Sequence, residues 1–198
     1  MTDKTRTYRM QRRAESQERT RLRITESAVA LHGTIGPSRT SISAVAAHAG
    51  VRRSTVYRHF PDEAALFDAC TAHWAAANPP PDLSTWAAIE SPDVRLQFAL
   101  AELHAFYRQT ETMLDNLFRD EATVPLVQER FAVLRSYFAA GADALLTGRN
   151  VRGATRRRTR AALGHATSFS TWKSLVREQG LTDCEAAELL HALVLAAN

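Results

Sequence analysis

The sequence has no apolar run near the ~20 residues that a membrane-spanning helix needs. Its first residues, MTDKTRTYRMQRR, lack the apolar stretch of a signal peptide. The expectation is a soluble, cytoplasmic protein with no membrane partner. Cysteine is scarce. Cys70 and Cys184 are the only two, and no CxxC or Cys/His cluster has zinc-ligand spacing. Both are expected to be buried small apolar residues in a reducing compartment rather than a disulfide. The histidines, at 32, 48, 59, 73, 104, 165 and 191, form no metal-ligand spacing. HExxH, P-loop, GxGxxG and GxSxG motifs are all missing. Neither an enzyme nor a cofactor is therefore expected. No stretch alternates apolar and polar residues as a half-buried strand does, and no internal repeat is found.

What is present is helical periodicity and an uneven charge. The 198 residues carry a net charge of +4. Residues 1–60 hold twelve Lys/Arg and four acids, and residues 61–198 hold thirteen and seventeen. A basic first third joined to a mildly acidic remainder points to nucleic acid at one end.

Residues 1–15 are polar and Arg-rich, and a disordered basic arm is expected there. A helix follows over about 16–33, capped by Ser16, with Ile24, Ala28, Leu31 and Ile35 on one face. Gly33, Gly36 and Pro37 end it. Ser41 caps a short helix over about 42–48. Gly50 then turns the chain at a position that needs φ > 0. A third helix covers about 53–59. Val56 and Phe60 face inward there, while Arg52, Arg53, Ser54, Thr55, Tyr57, Arg58 and His59 stay largely outside. Two helices of about two turns joined by a glycine turn match a helix-turn-helix. In such a unit the start of the second helix meets base edges, and Arg is the commonest reader of guanine. Arg52 and Arg53 sit at that start.

Thr40-Ser41-Ile42, Val45-Ala46, Ala49-Gly50-Val51, Thr55-Val56-Tyr57, His59-Phe60 and Asp62 to Leu66 together resemble the TetR family of bacterial transcriptional regulators. The likeness covers about residues 20–70. It implies base-facing roles for Arg53, Ser54 and Tyr57, and phosphate-facing roles for Thr40, Thr55, Arg58 and His59. Ser41 and Arg52 complete the set of candidate DNA contacts. The chain departs from the family pattern at Arg52, Ser54 and Glu63, the last standing where a phosphate-binding Lys is common. His32 replaces an aromatic.

Asp62 caps a helix over about 63–77, and Asn78 with Pro79-Pro80-Pro81 ends it. The domains are then expected as an arm (1–15), a helix-turn-helix head (16–78) and a helical body (79–198), an all-α arrangement. Within the body, 79–91 reads as a linker and 91–109 as a helix starting at Ser91-Pro92. Thr110 is expected to recap a short helix, and further helices cover about 124–147, 153–178 and 183–196. Family resemblance implies an effector pocket in this bundle, for an apolar small molecule. Its candidates are Trp86, Phe106, Met113, Leu117, Phe118, Phe138, His165, Phe169 and Trp172, although ordinary core is the commoner reading of most such residues taken singly. The last two helices read as a homodimer interface through Gly164, Ser168, Ala187, Leu190 and Val194. The arginines from Arg152 to Arg160 read as a solvated face or a patch for an acidic partner.

The resulting expectation is a DNA-binding regulator, a ligand-responsive repressor on a palindromic operator in double-stranded DNA. The alternative is an architectural DNA binder or partner adaptor with no small-molecule effector.

Overall fold

The computed structural model describes the backbone of residues 2–197 and the side chains of residues 7–197. Every regular element among them is helical. The α-helices are α1 (Thr2–Thr34), α2 (Ile42–His48), α3 (Arg53–His59), α4 (Glu63–Ala77), α5 (Leu83–Ala87), α6 (Pro92–Asp120), α7 (Pro125–Leu146), α8 (Gly153–Ala166), α9 (Phe169–Lys173) and α10 (Asp183–Ala196). A 3-10 turn covers Pro37–Arg39, and a π-type turn covers Ser174–Glu178. No described helix is long and apolar enough to cross a membrane. The chain divides into two compact units. One contains the residues up to Asn78 together with Asp115–Val127. The other contains Pro79–Leu114 and the residues from Gln128 onward.

In the first unit, α1 already runs from Thr2. The stretch expected as a disordered arm over 1–15 therefore forms the first turns of that helix, with Met1 outside the described residues. Residues 2–32 contain no Gly or Pro and are rich in Arg, Glu, Gln and Ala, which favour helix. Ser16 is accordingly not a cap, and its carbonyl accepts the Thr20 hydroxyl at 2.9 Å. Ile35, expected on the inner face, lies past the end of α1 and is 37% exposed.

The core of this unit is formed by Ile24 and Ala28 of α1, Ile42, Val45 and Ala46 of α2, Val56 of α3, and Leu66 and Cys70 of α4, with Phe60 between α3 and α4. Ser41 caps α2 by accepting the Ala44 N–H at 3.1 Å, and Asp62 caps α4 by accepting the Ala65 N–H at 2.7 Å. Gly50 turns the chain at φ +62°, and the Val51 N–H returns to the Ala46 carbonyl at 2.9 Å. A residue with a Cβ pays a steric cost in that left-handed region.

His32 lies inside this core, 8% exposed, with its ring 5.3 Å from that of Phe67 and Nδ1 3.5 Å from Cys70 Sγ. Burial lowers its pKa to about 4, although nearby Asp120 pulls the other way. Burial also pushes the Cys70 thiol up to about 12, so it stays protonated. The unfolded chain binds a proton at His32 near pH 6.5, and the folded chain resists it down to about 4. Stability is thus complete above pH 6.5 and falls as the pH drops through that window, by up to about 3 kcal/mol. Denaturant unfolding at pH 7 and pH 4.5 should show the fall. His32→Phe, which fills the same apolar site with a group that does not titrate, should remove most of it.

In the second unit, the expected linker over 79–91 contains α5, capped by Asp82. Trp86 there is 1% exposed, and its Nε1–H donates to Glu102 at 2.6 Å. The expected break at Thr110 is absent. Its hydroxyl bonds back to the Phe106 carbonyl at 2.6 Å, a pattern that fits inside a helix, and α6 continues to Asp120. The helix expected over 153–178 is interrupted instead. Thr167 closes α8 with its hydroxyl on the Leu163 carbonyl, and Ser168, in extended conformation, caps α9 by accepting the Thr171 N–H. Ser and Thr offer the backbone these local alternatives to helix. The Thr167 carbonyl then accepts the buried Tyr107 hydroxyl at 2.5 Å. Thr182 caps α10 in a capping box with Glu185.

Both cysteines are free thiols, but only Cys70 is buried as expected. Cys184 is exposed because the inward stripe of α10 is Ala186, Leu190 and Val194, and position 184 lies off it. Among the described residues, no cluster of three or more His, Cys, Asp or Glu is placed to hold a metal ion.

Candidate nucleic-acid interface

The outer face of α3 follows from its inner one. Val56 and Phe60 are buried, four residues apart, so the opposite side of the helix points to solvent. Arg52, Arg53, Ser54, Tyr57 and Arg58 are exposed there, and Thr55 and His59 are half-buried. Arg53 and Tyr57 act as a pair. Arg53 Nη2 donates to the Tyr57 hydroxyl at 3.1 Å, and its guanidinium lies 5.5 Å from the ring centroid. That hydrogen bond raises the pKa of Arg53 above its ordinary value. The remaining guanidinium donors stay available for a bidentate contact.

His59 is a different kind of residue from the arginines beside it. Its Nε2 is buried without a hydrogen-bond partner. Burial first, then Arg58 and Arg21, hold its pKa below the ordinary value. A neutral imidazole brings no charge to a phosphate. Arg21 does have a local role that its position on α1 did not reveal. It donates to the His59 carbonyl at 2.8 Å and lies 4.3 Å from the Phe60 ring centroid, so it closes the end of α3. A cation one turn before the apolar face of α1 was the only sequence signal.

Thr40 and Ser41 divide their duties. The Thr40 hydroxyl donates to the Gly36 carbonyl at 2.8 Å, and its N–H donates to the Pro37 carbonyl at 3.0 Å. Both of its donors are therefore turned inward, which corrects its expected role as a phosphate donor. The Ser41 oxygen accepts the Ala44 N–H, which leaves its hydroxyl hydrogen to donate outward. Glu63 is exposed in the first turn of α4. Arg52 and Arg53 are thus the exposed cations at the start of the second helix of the pair.

The effector candidates fall in both units. Leu117 and Phe118 belong to the first unit, and the others to the second. Within the second unit Tyr107 is the hub. Its ring lies 6.0 Å from Phe106, 6.4 Å from Phe138, 5.5 Å from Phe169 and 5.8 Å from Trp172. Tyr107, Trp86 and Trp172 are at most 1% exposed, Met113 is half-buried, and His165 is exposed. Tyr107 is the member of this cluster that the candidate set omitted.

The dimer candidates need a correction. Leu190 and Val194 are at most 1% exposed within their own chain, so they cannot face a partner. The exposed large apolar side chains of α10 are Leu189, Leu193 and Leu195, at 41%, 52% and 41%, and the first two share one face at the i, i+4 spacing. Ser168 and Ala187 are half-buried, and Gly164 on α8 is exposed with open space over its Cα. Periodicity finds an apolar helix but not which of two apolar faces the chain itself covers.

A capped helix–glycine turn–helix unit with an Arg-bearing outer face, in an all-α fold, has the geometry of a helix-turn-helix unit. Residues 24–70 match the model of the bacterial regulatory proteins, tetR family. That segment is therefore similar to the DNA-binding head of the family, and the fold along the chain is similar to that of solved all-α TetR-family regulators. Three solved structures illustrate the fold. A Clostridium perfringens protein, named as a candidate fatty acid metabolism regulator, is 13% identical, with a TM-score of 0.65 over 89% of this chain and 98% of its own. NalD of Pseudomonas aeruginosa, the secondary repressor of the MexAB-OprM multidrug efflux pump, is 22% identical, with a TM-score of 0.61 over 92% and 96%. A tetR-family transcriptional regulator from Streptomyces coelicolor is 21% identical, with a TM-score of 0.57 over 91% and 79%. A comparison with curated proteins gave no significant match.

Proposed function

We propose that this protein is a homodimeric transcriptional repressor that binds a palindromic operator and releases it when an apolar small molecule occupies the second unit. The observation that carries the DNA-binding part is the exposed Arg53–Tyr57 pair on α3, held outward by buried Val56 and Phe60. Arg52 and Arg53 supply the cations at the start of that helix. Arg53, Ser54 and Tyr57 face the bases. Arg58, Thr55 and the Ser41 hydroxyl face phosphates.

The exposed pair Leu189 and Leu193 supports dimerisation through α10 and α8. Helix-turn-helix heads read two half-sites about one helical turn apart, so a palindrome follows from a dimer. The aromatic residues around Tyr107 support an apolar effector. NalD, a repressor of the same fold, is a precedent for the sign of regulation.

The experiment is a titration of the DNA upstream of the protein's own gene. Arg53→Ala should weaken the native site by about 1–3 kcal/mol, roughly 5- to 150-fold, and relax discrimination at one base. Arg58→Ala should instead weaken all sequences alike and reduce the salt slope by about one unit. Unchanged affinity for Arg53→Ala would remove that residue from the base-reading set.

Lipophilic compounds that raise the melting temperature should lower operator affinity. The close ring packing around Tyr107 favours a second reading, in which these aromatics are core and the protein is an architectural DNA binder or adaptor. Operator binding with no compound able to release it would decide for that reading.

A further inference from the structure

The end of α6 lies outside the matched segment 24–70, yet it is built into the DNA-binding head. Asn116 Nδ2 donates to the His32 and Gly33 carbonyls at 3.0 and 2.9 Å, at the end of α1. Arg119 donates to the Ile35 carbonyl at 3.2 Å and to Asn116 Oδ1 at 2.8 Å. Asp120 has a side chain 4% exposed. Its Oδ2 accepts the Ser38 N–H at 2.9 Å, and its Oδ1 accepts Arg119 Nε–H at 2.9 Å. Burial alone would raise this carboxyl, but the hydrogen bonds from Arg119 and Ser38 outweigh it and hold it below the usual range.

The loop that Asp120 grips leads straight to α2. Gly36 sits at φ +89°, and a Cβ there would run into Arg119 Nη2 and lie 2.6 Å from Asp120 Oδ2. Only glycine lets the loop pass this close. From Gly36 the Arg39 N–H, the Pro37 carbonyl and both Thr40 donors close the turn. Ser41 follows as the cap of α2, an exposed residue whose hydroxyl hydrogen that bond does not use. The buried carboxylate is thus bonded to the loop that leads to the cap of α2.

We propose that Asp120 is a positioning residue for DNA binding. It fixes the Gly36–Thr40 loop, and with it the start of α2, without touching DNA itself. The proposal rests on the DNA-binding reading above. The apolar core of the head, from Ile24 to Cys70, does not include Asp120, so the loop can loosen while the helices stay packed.

The test is a double-mutant cycle on the full chain, read as affinity for the upstream DNA well below the melting temperature. Asp120→Ala should weaken binding on the order of tenfold, the loss expected of one buried charged hydrogen bond, and should speed hydrogen exchange at the Ser38 amide. Asp120→Asn keeps a carbonyl oxygen for the Ser38 N–H and should recover most of the affinity. Asp120→Ala and Ser41→Ala act on one contact, so together they should cost less than the sum of the two. Asp120→Ala with Arg53→Ala should add. Unchanged affinity with faster Ser38 exchange would overturn the proposal. So would equal additivity with both partners, which indicates general destabilisation. If the wild-type chain binds no DNA, the DNA-binding reading itself fails. Loss in the variants of an affinity present in the wild type separates the two cases.

Discussion

On the proposed dimeric reading, a chain carrying Leu189→Glu and Leu193→Glu is expected to sediment as a monomer at micromolar concentration and to lose affinity for a palindromic operator. Both side chains project from α10 at the i, i+4 spacing and are 41% and 52% exposed. Charging them leaves the inward stripe Ala186, Leu190 and Val194 untouched, so the helical circular dichroism should not change. In a dimer the same substitutions place four like charges in an apolar contact, which strongly disfavours association. A head bound to one half-site raises the local concentration of its partner at the other. Losing that link should reduce operator affinity roughly 100-fold or more. Binding to a single half-site should fall little. A dimer that survives both charges would move the interface away from α10.

Trp172→Ala is expected to have the largest effect on stability. The side chain is fully buried between Tyr107 and Phe169, with ring centroids 5.8 and 5.7 Å away. Its Nε1–H donates to Asp183 at 2.9 Å, and Arg177 covers the ring at 5.3 Å. Truncation removes the apolar contacts and leaves a cavity, at a cost of about 3–5 kcal/mol. For a chain of this size that lowers the melting temperature by roughly 6–20 °C. Trp172→Phe keeps most of the volume and loses the donor to Asp183, which Arg108 still contacts at 2.6 Å. It should therefore cost much less. If Trp172→Ala left the melting temperature unchanged, the ring would be lining an open pocket rather than filling a core.

The helix-turn-helix was readable because its signals are local. A capping serine, a glycine at φ +62° and two inward apolar residues four apart each act within a turn or two of chain. The candidate interface was legible for the same reason. Once Val56 and Phe60 are inside, Arg53, Ser54, Tyr57 and Arg58 are outside. Errors fell where residues far apart in sequence compete. Thr110 and Thr167 are the same residue type with the same backward hydroxyl bond, yet α6 continues past the first and α8 ends at the second. Ser168 makes the difference by capping a new helix, and Tyr107, 60 positions away, accepts the consequence by bonding the freed carbonyl.

The sequence by itself determined the helical class, the basic head, its turn and the outer face of its second helix. All of these follow from short-range periodicity, capping and glycine conformation. Tertiary structure alone decided that Asp120 belongs to the head, that Thr40 turns its donors inward, and that Leu189 and Leu193 rather than Leu190 and Val194 remain uncovered. Each of these depends on which distant segment occupies a given face. A hydrogen bond across 82 positions, such as that of Asp120 with the Ser38 N–H, leaves no periodic trace in the chain.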